Sequence, residues 1–240
     1  MIFLFTDFGA EGPYLGQMEA VLRSQAPGVD VINLLSDAPT GDPRRSSYLL
    51  AALCRHCPVG SVVLGVVDPG VGGERLPVVL EADGRWFVGP DNGLFNTVSV
   101  QSSRAEWRSI DWRPERLSAS FHGRDLFAPI AARIARGDFG WAGRPLLAPD
   151  PNLWPADLAE IVYLDHYGNA ITGRRHDPEL AGRVLEVQGR RIPPARTFCQ
   201  VAEGDALWYE NSMGLVEIAV NRGRADRELG LVPGLTIRFL

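Results

Sequence analysis

Asp68 and Arg75 bracket the part of this chain best equipped for chemistry: VVDPGVGGER, residues 66–75. Three glycines and a proline in the six residues after Asp68 rule out both helix and sheet, and they let backbone and ligand approach closely. A carboxylate and a guanidinium at the two ends of such a loop can fold back on each other. The pair then either braces a turn or holds a water between two charges. A second carboxylate, Asp7, stands in the same situation at the end of the first apolar run, in TDFG. His122 lies in FHGRD, just ahead of an apolar helical pattern and beside Arg124 and Asp125, where an imidazole can cap a helix or serve in catalysis. In the second half, polar side chains gather at Asp165-His166-Tyr167-Gly168-Asn169 and Tyr209-Glu210-Asn211-Ser212-Met213-Gly214, with Glu217 and Asn221 close behind. Asn, Gly and Ser are also ordinary turn formers, so hairpin chemistry is the plain alternative for each of these clusters.

The elements that must carry these residues follow from the apolar pattern. Ser61 to Val67 is a short apolar run suited to a strand covered on both faces, and Met1 to Phe5 and Val29 to Leu35 read as two further strands. Between them, Leu15, Met18, Val21 and Leu22 share one face of a helix opened by Gly12-Pro13. Leu49, Leu50, Leu53 and Cys54 share a face of a second helix, with Asp42 as N-cap, Pro43 as first residue and Pro58 as stop. This alternation predicts a mostly parallel sheet with right-handed crossovers, and such sheets gather ligands outside the carboxyl ends of their strands. Val78 to Val88 reads as a hairpin turning on Asp83-Gly84. Leu126, Phe127, Ile130, Ala131 and Ile134 form the inner face of a helix after His122. Four prolines between Gly143 and Asp157 mark a boundary. The expected organisation is an α/β domain over 1–145, a Pro-rich linker at 146–155 and, over 156–240, a smaller all-β, barrel-like domain of short strands at 159–164, 184–187, 190–192, 206–209, 215–220 and 235–240.

Composition narrows the function. A chain of 240 residues with 45% apolar and 22% charged residues can bury a full core without disulfide or metal staples. No apolar run spans a bilayer, and MIFLFTDFG lacks the basic segment and cleavage site of a signal peptide, so the cytoplasm is the expected compartment. A net charge of -5 argues against nucleic acid as a partner. All 24 basic residues are arginine, which excludes a Schiff-base lysine, a pyridoxal phosphate anchor and a P-loop lysine. Cys54 and Cys57 form a CxxC without a second pair, and they read as half-buried structural thiols rather than metal ligands.

TDFG at 6–9, VVDPGVGGER at 66–75, GPDNGLF at 89–95, FHGRDLFAP at 121–129, DHYGN at 165–169 and the NS-G-LVEIA-N pattern at 211–221, taken in order over nearly the whole chain, resemble the S-adenosylmethionine hydrolases. These are also called hydroxide adenosyltransferases, relatives of the fluorinase and chlorinase. The resemblance implies an α/β domain followed by a smaller β-barrel, and trimers with active sites between neighbouring subunits. It implies that Asp68, Arg75 and His122 handle the attacking water and that Asp7 accepts hydrogen bonds from both ribose hydroxyls. Asp165, Tyr167, Asn169, Tyr209, Ser212, Glu217 and Asn221 fall in the segments that hold adenine and methionine. Two departures stand out: the family often has His where Leu35 or Ser36 stands, and Phe where Tyr167 stands.

The implied reaction is hydrolysis of S-adenosyl-L-methionine to adenosine and L-methionine, selective for one sulfonium epimer, with no cofactor and no metal. Methionine leaves a sulfonium as a neutral thioether, so only the nucleophile needs help. Halide transfer to the same substrate is the first alternative, but a halide wants a desolvated pocket without a base, which the charged Asp68, Arg75 and His122 would oppose. A non-enzymatic sensor of adenosine or S-adenosylmethionine would not need those three. A phosphatase of the haloacid-dehalogenase type, suggested by Asp7, would need a second Asp where Gly9 stands, and usually a lysine.

Overall fold

The computed structural model describes residues 1–240, which divide into two compact units, Met1–Ala156 and Asp157–Leu240. The first is a seven-stranded sheet flanked by helices. Its strands are β1 (Ile2–Thr6), β2 (Val31–Leu35), β3 (Val62–Val66), β4 (Pro77–Ala82), β5 (Arg85–Pro90), β6 (Ala105–Ile110) and β7 (Ala142–Leu146), in the order β2-β1-β3-β5-β4-β6-β7. The main helices are α1 (Tyr14–Gln25), α2 (Pro43–Cys54), α3 (Asn96–Gln101) and α4 (Ala128–Ala135), the last entered through a π-helical turn at Gly123–Phe127.

β1 and β3 are buried at every position, as continuous apolar runs require when both faces are covered. Their side chains alternate between two cores. Ile2, Leu4, Val62, Leu64 and Val66 pack with Met18 and Leu22 of α1 and Phe127, Ile130 and Ala131 of α4. On α2, Asp42 caps the first turn by accepting from the Arg45 N–H, Pro43 follows it, and Leu49, Leu50 and Cys54 are buried. Cys54 and Cys57 are both buried, more than the half-buried thiols expected; a hydrogen bond between them, then burial, holds the Cys54 thiol well above its ordinary value.

The expected mostly parallel sheet is mixed. β2, β1, β3 and β5 pair in parallel, but the hairpin at Asp83-Gly84 sends β4 back antiparallel beside β5, and β6 and β7 continue antiparallel. Asp83 and Gly84 have φ of 45° and 74°, the left-handed pair that a tight hairpin demands. The predicted linker at 146–155 is part of the first unit: Trp154 stacks on Tyr48 and donates to Thr97 Oγ1, and the Pro155 carbonyl accepts from Tyr48. Its prolines fit a segment at a sheet margin, since β7 is the outermost strand.

The second unit contains β8 (Leu158–Leu164), β9 (Ala170–Arg175), β10 (Leu185–Val187), β11 (Arg190–Ile192), β12 (Ala206–Glu210), β13 (Leu215–Val220) and β14 (Ile237–Phe239), with the short helix α5 (Ala225–Glu228). The expected barrel is seen as two antiparallel sheets, β12-β13-β9-β8 and β11-β10-β14. Between the two, single bridges at Glu160–Thr236 and Pro194–Trp208 take the place of continuous ladders. No helix of the chain is long and apolar enough to cross a membrane.

Candidate active site

Asp7 and Asp68 follow adjacent parallel strands whose ends are in register, Thr6 beside Val66, so both carboxylates emerge at the same carboxyl edge. Asn92, from the loop after β5, donates to the Val67 carbonyl at 2.8 Å and anchors the backbone just before Asp68. The glycine loop then returns Arg75 to Asp68. Gly72 has φ of 79°, and a Cβ there would lie 2.5 Å from the Ala119 carbonyl oxygen, so only glycine fits this crossing.

Arg75 binds Asp68 in a fork: Nε lies 3.0 and 3.1 Å from the two carboxylate oxygens, and Nη2 also donates to Oδ2. Nη2 reaches His122 Nδ1 as well, at 2.9 Å. A guanidinium can only donate, so Nδ1 is the acceptor and the neutral ring carries its proton on Nε2. Burial and then the Arg75 charge hold His122 below the ordinary histidine value, outweighing the opposing pull of Asp68. Phe127, completely buried, packs under the Arg75 guanidinium with 5.2 Å from Cζ to the ring centroid. With side chains only 4% and 10% exposed, Asp68 and Arg75 are no surface ion pair.

A hollow of about 180 Å³ opens on this cluster, lined by Asp7, Asp68 and His122 together with Phe8, Gly41 and Phe121. Asp7 Oδ2 accepts the Gly41 N–H at 2.9 Å, which fixes the carboxylate. Phe8, Gly41 and Phe121 were not singled out in the sequence; Phe8 and Phe121 adjoin Asp7 and His122, but nothing local marks Gly41, which joins the site from the segment after β2. No group of three or more His, Cys, Asp or Glu side chains is arranged to hold a metal.

The second unit has a larger cavity of about 690 Å³, lined by Asp165, Tyr167, Asn169, Tyr209, Ser212 and Glu217, all named from the sequence. Asp165 and Asn169 clamp the turn between β8 and β9, with Asn169 N donating to Asp165 Oδ1 at 2.8 Å and Nδ2 to Oδ2 at 3.1 Å. Hairpin chemistry and site lining thus coincide in the same residues. Tyr167 is 73% exposed and stands at the rim. Asn221 is not among the lining residues. Its Nδ2 donates to the Val201 carbonyl at 2.9 Å, and its backbone pairs with Gly204 and Asp205, so it ties down the 201–205 loop. Phe198, whose ring meets Tyr209 edge-on at 5.4 Å, also lines the cavity; it was missed because its short helical turn has no periodic signal.

Family models match both halves of the chain. The SAM hydroxide adenosyltransferase N-terminal domain covers residues 2–141 and the corresponding C-terminal domain covers residues 159–238. The chain belongs to the SAM hydroxide adenosyltransferase family. It is 40% identical to an (R)-S-adenosyl-L-methionine hydrolase of Thermus thermophilus, over 100% of this chain and 99% of that one. It is 38% identical to an (R)-S-adenosyl-L-methionine hydrolase of Salinispora arenicola, over 97% and 95%. A crystal structure of an uncharacterized conserved protein from Thermotoga maritima has the same fold, with a TM-score of 0.90 and 30% identity, covering 100% of this chain and 99% of that one.

Proposed function

We propose that this protein hydrolyses S-adenosyl-L-methionine to adenosine and L-methionine, with preference for the (R) sulfonium epimer. The observation that carries the reading is Arg75 joined at once to Asp68 and to His122 Nδ1, beside a hollow that Asp7 also lines. Family membership and the two hydrolases at 38–40% identity support the substrate.

The reaction is in-line attack of water on the 5′ carbon. The bond from water oxygen to C5′ forms as the bond from C5′ to sulfur breaks, and its electron pair leaves with the sulfur as a neutral thioether. No acid, metal or cofactor is required for that departure. Because His122 Nδ1 is engaged by Arg75, the ring meets the water through its Nε2–H as a donor. Asp68, with lone pairs beyond those that Arg75 engages, accepts the proton. Arg75 stabilises the developing hydroxide, an electrostatic role that typically contributes about 10² to 10³ in rate. Asp7 has an oxygen left over from its bond to Gly41 with which to hold the ribose hydroxyls.

A hollow of about 180 Å³ is small beside the roughly 300–1,000 Å³ of ordinary ligand pockets, so this reading needs a second wall. In the homotrimer that the family resemblance implies, the second unit of a neighbouring subunit supplies that wall, with Asp165, Tyr167, Asn169, Tyr209 and Ser212 around the rest of the substrate. The deciding experiment is chromatography of products from each epimer separately, with and without chloride. Adenosine and methionine from the (R) epimer in chloride-free buffer are expected. Chlorinated adenosine as the main product, or no turnover of either epimer, overturns the reading.

A further inference from the structure

Glu217 lines the 690 Å³ cavity but is only 5% exposed, and both of its oxygens are engaged by protein donors. β13 alternates strictly: Val216, Ile218 and Val220 belong to the apolar core of the second unit, which turns Glu217 to the opposite face. Tyr209 sits directly across the ladder on β12, and its hydroxyl donates to Glu217 Oε1. Asn211 Nδ2 donates to Oε2 at 2.9 Å.

The Asn211 amide cannot reverse. Its Oδ1 already accepts the backbone N–H groups of Met213 and Leu215, both at 3.0 Å. Those bonds shape the turn that presents Ser212 and Met213 to the cavity. The Tyr209 hydroxyl is constrained in the same way: with its proton directed at Glu217, its oxygen can offer the cavity only an acceptor. Ser212, by contrast, is in the turn itself and has no such commitment to Glu217.

We propose that Glu217 is a positioning residue and not a substrate ligand: it sets the direction of the Tyr209 hydroxyl and holds, through Asn211, the turn that carries Ser212. The proposal rests on the hydrolase reading for its assay and concerns how tightly substrate is held, not how fast it reacts. Glutamine at 217 offers one acceptor where two are needed. Its amide must face either Asn211 Nδ2, a donor that cannot turn, or Tyr209, whose hydroxyl would then swing its proton into the cavity.

The test is steady-state adenosine release by wild type, Glu217→Gln, Tyr209→Phe, Asn211→Ala, the Tyr209→Phe, Asn211→Ala pair, and that pair combined with Glu217→Gln. The expected result for Glu217→Gln is a KM raised about tenfold with kcat within about threefold. In the Tyr209→Phe, Asn211→Ala background, Glu217→Gln should add less than about twofold, because the groups through which it acts are already gone. An undiminished tenfold loss in that background means that Glu217 acts other than through Tyr209 and Asn211 and overturns the proposal, as does a fall in kcat at unchanged KM. Tyr209→Phe, which removes one hydroxyl, decides the matter if Glu217→Gln does not fold: an unchanged KM there also overturns it. Absence of adenosine release by the wild-type chain would instead defeat the hydrolase reading, and calorimetric binding of adenosine to the same variants would then decide the role of Glu217.

Discussion

Replacing Arg75 by methionine separates an ion pair that merely holds a loop from one that runs a reaction. In the wild type, Asp68 faces Arg75 through a forked contact with almost no solvent. Removing the guanidinium leaves a buried carboxylate without a partner, which costs about 3–5 kcal/mol of stability. For a chain of this size each kcal/mol moves the melting temperature by about 2–4 °C, so the melt should fall by at least about 6 °C. Adding Asp68→Asn removes the stranded charge, and since loss of both partners of a buried pair is often near neutral, most of that stability should return. Turnover should not return. It should remain at least about 10² to 10³ below wild type in the single and the double variant, because both lack the charge that stabilises hydroxide and the double variant also lacks the base that receives the proton. The assay is a calorimetric melt beside adenosine release at saturating substrate. A double variant as active as wild type would remove the pair from the mechanism, and an unshifted melt in Arg75→Met would refute the burial argument.

His122 should titrate below the usual histidine range of about 6.5, because burial and Arg75 both disfavour its charge. The unfolded chain then takes up the proton first, so stability contributed at this site falls as pH drops from about 6.5 towards the lowered value. Turnover should stay flat through pH 6.5 and decline only below it, and pH profiles of kcat for wild type and His122→Gln should differ by that acid limb. Gly72→Ala forces a Cβ to within 2.5 Å of the Ala119 carbonyl at a φ of 79°; a loss of about 1–3 kcal/mol is expected by denaturant titration, together with slower turnover as Arg75 is displaced. Asn221→Ala should cost about 1 kcal/mol by freeing the Val201 carbonyl, yet leave KM within about twofold, whereas Asn169→Ala should raise KM at least about tenfold.

Much of the first unit was legible because burial on both faces leaves a strong mark. The apolar runs ending at Asp7 and Asp68, the Asp42-Pro43 helix start and the Asp83-Gly84 turn are each local chemistry with one structural solution. β7 had no such mark, since AGRPL neither alternates nor runs apolar, and a strand on the sheet margin does not need to. β9 was missed as well: AITGRR contains a glycine, but a Cβ at Gly173 would meet Leu158 at 2.8 Å, so that glycine marks close packing of two strands and not a turn. The mixed sheet was not readable either, because a hairpin states that two strands are antiparallel and not which edge the pair joins.

By itself the sequence determined which residues stand at strand ends and in tight turns, because φ preferences and apolar periodicity act over a few neighbours. It named Asp7, Asp68, Arg75, His122 and seven polar residues of the second unit, six of which line its cavity. Tertiary structure alone decided what each touches. Only packing brings Arg75 to His122 Nδ1 across 47 positions of chain and so selects the ring tautomer. Only the pairing of β12 with β13, with the turn that joins them, brings Tyr209 and Asn211 onto the two oxygens of Glu217, and only the 201–205 loop draws Asn221 away from the cavity. A hydrogen bond has one donor and one acceptor, and which partner arrives is set by how the strands pair and the loops pack.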